Sequence, residues 1–164
     1  MNKSILVFLL LLTFILPSSL FAVVPKKPQL LSPKDTLKVL DSVKEHAIVF
    51  GSGKKAIHTY IDPYCELSQR YLSFIFKKKE RMFSKYTFYF YLYELEGKES
   101  SEIILTILSS KYKQTTLKSV MLNHEDVEID DNGEVQDIVD AIESAAKKIG
   151  VFKRPYIIIN GKVK

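Results

Sequence analysis

The chain holds one cysteine, Cys65, and that residue decides which chemistry is open to it. A lone thiol cannot close a disulfide within its own chain, so it is either buried and inert or reactive toward another molecule. Its neighbours bear on the choice. The segment Ile61-Asp62-Pro63-Tyr64-Cys65-Glu66-Leu67-Ser68 reads as the end of a strand running straight into a helix. A helix start offers unpaired N–H groups and the positive end of the helix dipole, and both stabilise a thiolate. A thiolate is the species that attacks disulfides. Pro63 is at ease there because a helix start needs no N–H from it. Asp62 and Glu66 oppose a thiolate and Arg154 favours one, a balance the residue types leave open.

A second cluster lies near the end of the chain, in Lys153-Arg154-Pro155-Tyr156-Ile157-Ile158-Ile159-Asn160-Gly161-Lys162. A proline directly before a strand is where a cis X–Pro bond would sit, although trans is the commoner state. Other chemistries find no support. His46, His58 and His124 are far apart and share no ligand spacing, so no metal site is expected. Gly51-Ser52-Gly53-Lys54-Lys55 lacks the spacing of a phosphate loop, and no cofactor is expected. Glu128 to Gly133 lacks the leading Asp and the closing Glu of a calcium loop.

Several elements must position these two clusters. Thr36 to Glu45 has apolar residues at Leu37, Leu40 and Val43 and predicts a short helix. Ala47 to Phe50 and Ala56 to Ile61 read as strands around the Gly-Ser-Gly turn. The helix opened at Asp62-Pro63-Tyr64-Cys65 is predicted to run to about Met82, with Leu67, Tyr71, Phe74, Ile75 and Met82 at helical spacing. Tyr86 to Tyr93 is almost wholly aromatic and suits a central strand covered on both faces. Two helical stretches follow, around Ile103–Leu108 and Leu117–Met121. An acidic connector precedes a helix from about Val135 to Ile149, which Gly150 stops. Tyr156 to Ile159 is a strand, and Asn160-Gly161 is a hairpin turn. Strand, helix, strand, helices, strand is the order of an α/β sheet.

The N-terminus has its own logic. Met1-Asn2-Lys3, an apolar run from Ile5 to Leu16, and Pro17 to Ala22 form the three-part pattern of a secretory signal, with cleavage expected after Ala22. An uncleaved anchor would be short of the ~20 apolar residues of a spanning helix. The membrane is therefore expected as a partner only through that segment if it stays uncleaved. Residues 23–46 read as a linker with a short helix, and 47–164 as one domain. The run Lys77-Lys78-Lys79 with Arg81 reads as a solvated helix end. With no nucleic-acid motif, nucleic acid is not expected as a partner.

Taken in order, Ala47–Phe50 and the next strand, I-D-P-Y-C-E-L-S, the helices after the following strand, and I-G-V-F-K-R-P-Y-I-I-I-N-G-K resemble the thioredoxin superfamily. Within it they resemble the periplasmic disulfide isomerases of the DsbC-like type. The resemblance implies a thioredoxin-like α/β fold with a helical insertion. It makes Cys65 the exposed attacking cysteine and puts Ser68 where the second, resolving cysteine stands, giving C-x-x-S. Pro155 becomes the cis-proline that helps bind an extended substrate, and Arg154 the residue whose backbone faces that substrate. Three departures follow. Ser68 cannot form a disulfide with Cys65. No dimerisation domain is expected before the first strand. The return strand and last helix after Asn160-Gly161 are expected to be missing or truncated, leaving Tyr156–Ile159 as an uncovered edge.

Two functions follow. One is an exported, periplasmic oxidoreductase or isomerase that acts through one cysteine on client proteins with disulfides or thiols. Its release would need a client thiol, a small thiol or a redox partner protein. The other is a non-catalytic binding module, a chaperone or assembly factor of the cell envelope.

Overall fold

The computed structural model describes residues 30–94, 96–129 and 135–164. The expected signal 1–22, the linker as far as residue 29 and residues 130–134 of the acidic connector lie outside the described residues. The order is α1 (Pro33–Asp41), a 3₁₀ turn (Lys44–His46), β1 (Ile48–Phe50), β2 (Lys55–Ile61), α2 (Glu66–Lys77), α3 (Lys79–Lys85) and β3 (Tyr86–Leu92). There follow α4 (Ser101–Ser109), α5 (Lys113–Lys118), a π-helical turn (Ser119–Asn123), α6 (Gln136–Ile149), β4 (Tyr156–Ile159) and β5 (Lys162–Val163). Among the described residues no helix is long and apolar enough to cross a membrane.

The strands form one sheet in the order β1-β3-β2-β4-β5. β2 and β3 are parallel, from Lys55 opposite Tyr86 to Ile61 opposite Leu92, and the other pairings are antiparallel. Register divides the aromatics. Phe88 and Phe90 lie opposite Phe50 and Ile48 on one face, whereas Tyr89 and Tyr91 pair with His58 and Tyr60 on the other. The phenylalanine face meets α2 and α3: Phe50 packs on Phe76 at 5.0 Å and on Phe83 at 6.1 Å. Tyr71 of α2 reaches Thr59 Oγ1 at 3.5 Å. α6 packs on α1 and β3.

The structure corrects three expectations. The helix from Cys65 does not run to Met82. It ends at Lys77, and Lys78, at φ −120° and ψ 27°, leaves the helical region before α3 begins. That break turns Phe83 back against Phe76, with ring centres 5.3 Å apart, burial that a straight helix would forgo. The inward face of α2 is Ser68, Leu72 and Ile75, while Leu67 and Phe74 stand 58% and 48% exposed. The return strand, expected to be missing or truncated, is the two residues Lys162 and Val163, which pair with Ile159 and Ile158. Consequently β4 lies between β2 and β5 and is not the sheet's edge.

Two glycines are required by geometry. Gly150, at φ +81°, caps α6 in the left-handed region. Asn160 and Gly161, at φ 51° and 73°, make the hairpin turn between β4 and β5. A Cβ on Gly161 would fall 2.1 Å from the Pro33 carbonyl oxygen.

Candidate functional site

Cys65 is the N-cap residue of α2, in extended conformation at φ −83° and ψ 113°. A tight turn sets it there: its N–H donates to the Asp62 carbonyl at 3.1 Å, and its own carbonyl accepts from the Gln69 N–H at 3.0 Å. The Gln69 side chain fastens the turn again through Nε2 to the Pro63 carbonyl, 2.8 Å. Asp62 is fully buried. Its Oδ1 accepts from the Tyr64 N–H at 2.8 Å and its Oδ2 from the Ser100 hydroxyl at 3.0 Å. Ser68 is fully buried beneath, its Oγ accepting from the Asp62 N–H at 3.3 Å.

The two sequence clusters meet at the sulfur. The Arg154–Pro155 bond is cis, and the Cys65 thiol donates to the Arg154 carbonyl at 3.8 Å. Cys65 is 5% exposed, which corrects the expectation of an exposed attacking cysteine. The Arg154 carbonyl that meets the sulfur comes from a loop 89 residues away.

Arg154 is also placed differently from a simple cation beside a thiolate. Its backbone faces the sulfur while its guanidinium donates to the carbonyls of Tyr93 (2.8 Å), Glu94 (3.0 Å) and Lys153 (2.9 Å). It also lies 3.9 Å over the Tyr93 ring. Burial pulls the guanidinium below the ordinary arginine range, and Tyr93 and Asp62 pull it back; an arginine remains charged through such a shift. Glu66 is occupied as well, in an exposed pair with Arg70.

Sequence reasoning missed Ser100 and Glu94. Ser100 is the N-cap of α4, fully buried, its hydroxyl on Asp62 and its N–H on Glu94 Oε1 at 3.0 Å. Ser101 bonds the other Glu94 oxygen. One chain of contacts thus joins the turn before Cys65, the first helix of the insertion, and the Arg154 loop. The serine pair ahead of an apolar helical run was the available signal, as an N-cap. In the two segments that meet at the sulfur, Tyr64, Leu67 and Phe152 are exposed apolar groups, and the Phe152 ring meets Tyr156 edge-on at 5.8 Å. Beside Tyr64 a cavity of about 420 Å³ is lined by Gln69, Ile103, Val120, His124 and Ile129. Among the described residues no group of His, Cys, Asp or Glu is placed to hold a metal.

This sheet, with a helix starting at Cys65 and a cis-proline loop against it, is a thioredoxin-like fold. Solved structures agree. The catalytic domain of Proteus mirabilis ScsC superposes with a TM-score of 0.58 at 11% identity, over 80% of this chain and 88% of that one. A thioredoxin-like oxidoreductase from Silicibacter pomeroyi gives 0.61 at 13%, over 75% and 86%. A periplasmic thioredoxin-like protein from Salmonella enterica gives 0.55 at 12%, over 84% and 88%. At such identities the likeness establishes the fold. The sequence matches no protein-family model and no curated protein sequence.

Proposed function

We propose that the protein is an exported thiol:disulfide oxidoreductase of the isomerase-like kind that works through Cys65 alone. The observation that carries this is the sulfur at the start of α2, 3.8 Å from the carbonyl that precedes Pro155. An extended client segment laid along that loop would bring its disulfide to the sulfur. The Cys65 thiolate attacks one client sulfur, the client S–S bond breaks, and the other client sulfur leaves as a thiolate. Ser68 takes the position of a resolving thiol without being able to act as one. A second client thiol, a small thiol or a partner protein then attacks the mixed disulfide and frees Cys65. Tyr64, Leu67 and Phe152 supply apolar contact for the client. The expected signal segment and the structural likeness to a periplasmic protein support a periplasmic location. The second reading, a binding module without redox work, is favoured by one fact: Cys65 is 5% exposed.

Trapping separates the two. With no resolving thiol in the chain, covalent complexes with envelope proteins should accumulate and show on a non-reducing gel after alkylation. They should vanish on reduction and in Cys65→Ala. Ser68→Cys should shorten their lifetime, because an internal thiol then reaches the mixed disulfide. Identical lanes for the natural chain and Cys65→Ala would reject the oxidoreductase and leave the binding module.

A further inference from the structure

The charge of this chain sits mostly at one end of the domain. Residues 51–55 and 77–86 hold seven cations (Lys54, Lys55, Lys77, Lys78, Lys79, Arg81, Lys85) and one carboxylate, Glu80, a net +6; the whole chain is +5, so the remainder is −1. The fold gathers the two segments. Lys55 opens β2 directly opposite Tyr86. The turn before it is bonded to the end of α3, Ser52 N–H to Phe83 O at 3.0 Å and Gly53 N–H to Tyr86 O at 3.3 Å. All seven cations are exposed. Among the described residues none of the seven is held in an ion pair.

We propose that this basic end docks on an anionic lipid bilayer. The chemistry of the patch favours that partner over a polynucleotide. Six of the seven cations are lysines, point charges that meet headgroup phosphates without a fixed geometry; the arginine forks that read bases are nearly absent. The half-exposed Phe74 lies 4.5 Å beneath the Lys78 ammonium. An aromatic ring beside lysine stems is the pairing that settles at headgroup depth. The geometry also fixes an orientation. Lys55 and Ile61 bound a seven-residue strand, about 20 Å long at ~3.3 Å per residue. Cys65 follows the far end of that strand, so the sulfur faces away from the lipid.

The test is co-sedimentation of the full chain with vesicles of phosphatidylglycerol mixed into phosphatidylcholine, against pure phosphatidylcholine. The N-terminal apolar segment is common to both arms and cancels in the ratio. Partition should be at least about tenfold stronger on the anionic vesicles and should collapse at high salt, where screening shortens to a few ångströms. A Lys77→Glu/Lys78→Glu/Lys79→Glu variant should lose about tenfold or more. Lys54→Glu/Lys55→Glu, on the other segment, should lose less but in the same direction. Equal partition to both vesicle types would overturn the proposal, as would anionic binding that neither variant weakens. Displacement from the vesicles by a lower concentration of duplex DNA phosphate than of lipid phosphate would overturn it in favour of nucleic acid.

Discussion

The two faces of the sheet are built from nearly the same ring shapes and held by different forces. On one side Phe50, Phe88 and Phe90 of the sheet meet Phe76 of α2 and Phe83 of α3, with Phe88 and Phe90 stacked at 5.9 Å. On the reverse lie Tyr60, Tyr89, Tyr91 and His58, rings that carry polar atoms into the interior. His58 stacks on Tyr89 at 4.8 Å, and its Nδ1 meets the Tyr91 hydroxyl at 3.0 Å. Tyr60 stacks on Tyr91 at 5.0 Å, and its buried hydroxyl has no hydrogen-bond partner among the described residues. The phenylalanine face therefore depends mainly on shape, with the Thr59–Tyr71 pair its polar contact, and the tyrosine face on protonation and hydrogen bonding as well. The histidine lies on the face opposite the phenylalanines.

The largest effect should come from the phenylalanine face. Phe88→Ala removes a fully buried ring and should cost about 3–5 kcal/mol in urea unfolding. A loss below about 1 kcal/mol would mean that this face is not the close-packed one.

Acid should act on the opposite face. His58 is lowered from 6.5 to about 4, first by burial and then by Lys44, with Asp41 opposing. Below pH 6.5 the unfolded chain takes up a proton that the folded chain refuses until about pH 4. Stability from this group is thus complete above pH 6.5, falls through the window between, and levels off below pH 4. The total is on the order of 2–3 kcal/mol. His58→Phe should flatten that part of the urea-midpoint profile. A variant with an unchanged slope would assign the acid sensitivity elsewhere.

Two deletions of a single oxygen sharpen the contrast further. Tyr91→Phe strips His58 of its partner and should cost about 1 kcal/mol. Tyr60→Phe removes a buried hydroxyl that has no partner, and should be neutral or stabilise by up to about 1 kcal/mol. Effects of the same sign in both variants would show that the two hydroxyls are held alike. Burial pushes both phenols above the ordinary tyrosine range, so neither ionises in the pH range of the test.

What the sequence revealed follows the range of the interactions involved. The run Tyr86–Tyr93 announced a doubly covered central strand because an almost unbroken aromatic run is a local property, and the hairpin at Asn160-Gly161 was legible for the same reason. The meeting of Cys65 with the Arg154–Pro155 loop was legible only through resemblance, since the residues lie 89 positions apart. The same distance hid the burial of the sulfur. The Asp62–Ser100 bond spans 38 positions and joins two ordinary-looking residues, so no spacing rule would have found it. Leu67 misled because its apolar side chain fits a helical stripe, whereas the buried stripe passes through Ser68, which satisfies the Asp62 N–H.

The burial of Cys65 also bears on how its thiol meets small oxidants. Cysteine climbs from sulfenic to sulfinic and sulfonic acid in proportion to its exposure and thiolate character, and the upper steps do not reverse. A chain with one thiol has no second sulfur to rescue a sulfenic acid as a disulfide. Here Cys65 is 5% exposed, its sulfur 3.8 Å from the Arg154 carbonyl oxygen. Peroxide must reach a residue that is already largely buried. Burial thus trades speed toward small oxidants for durability of the chain's single thiol.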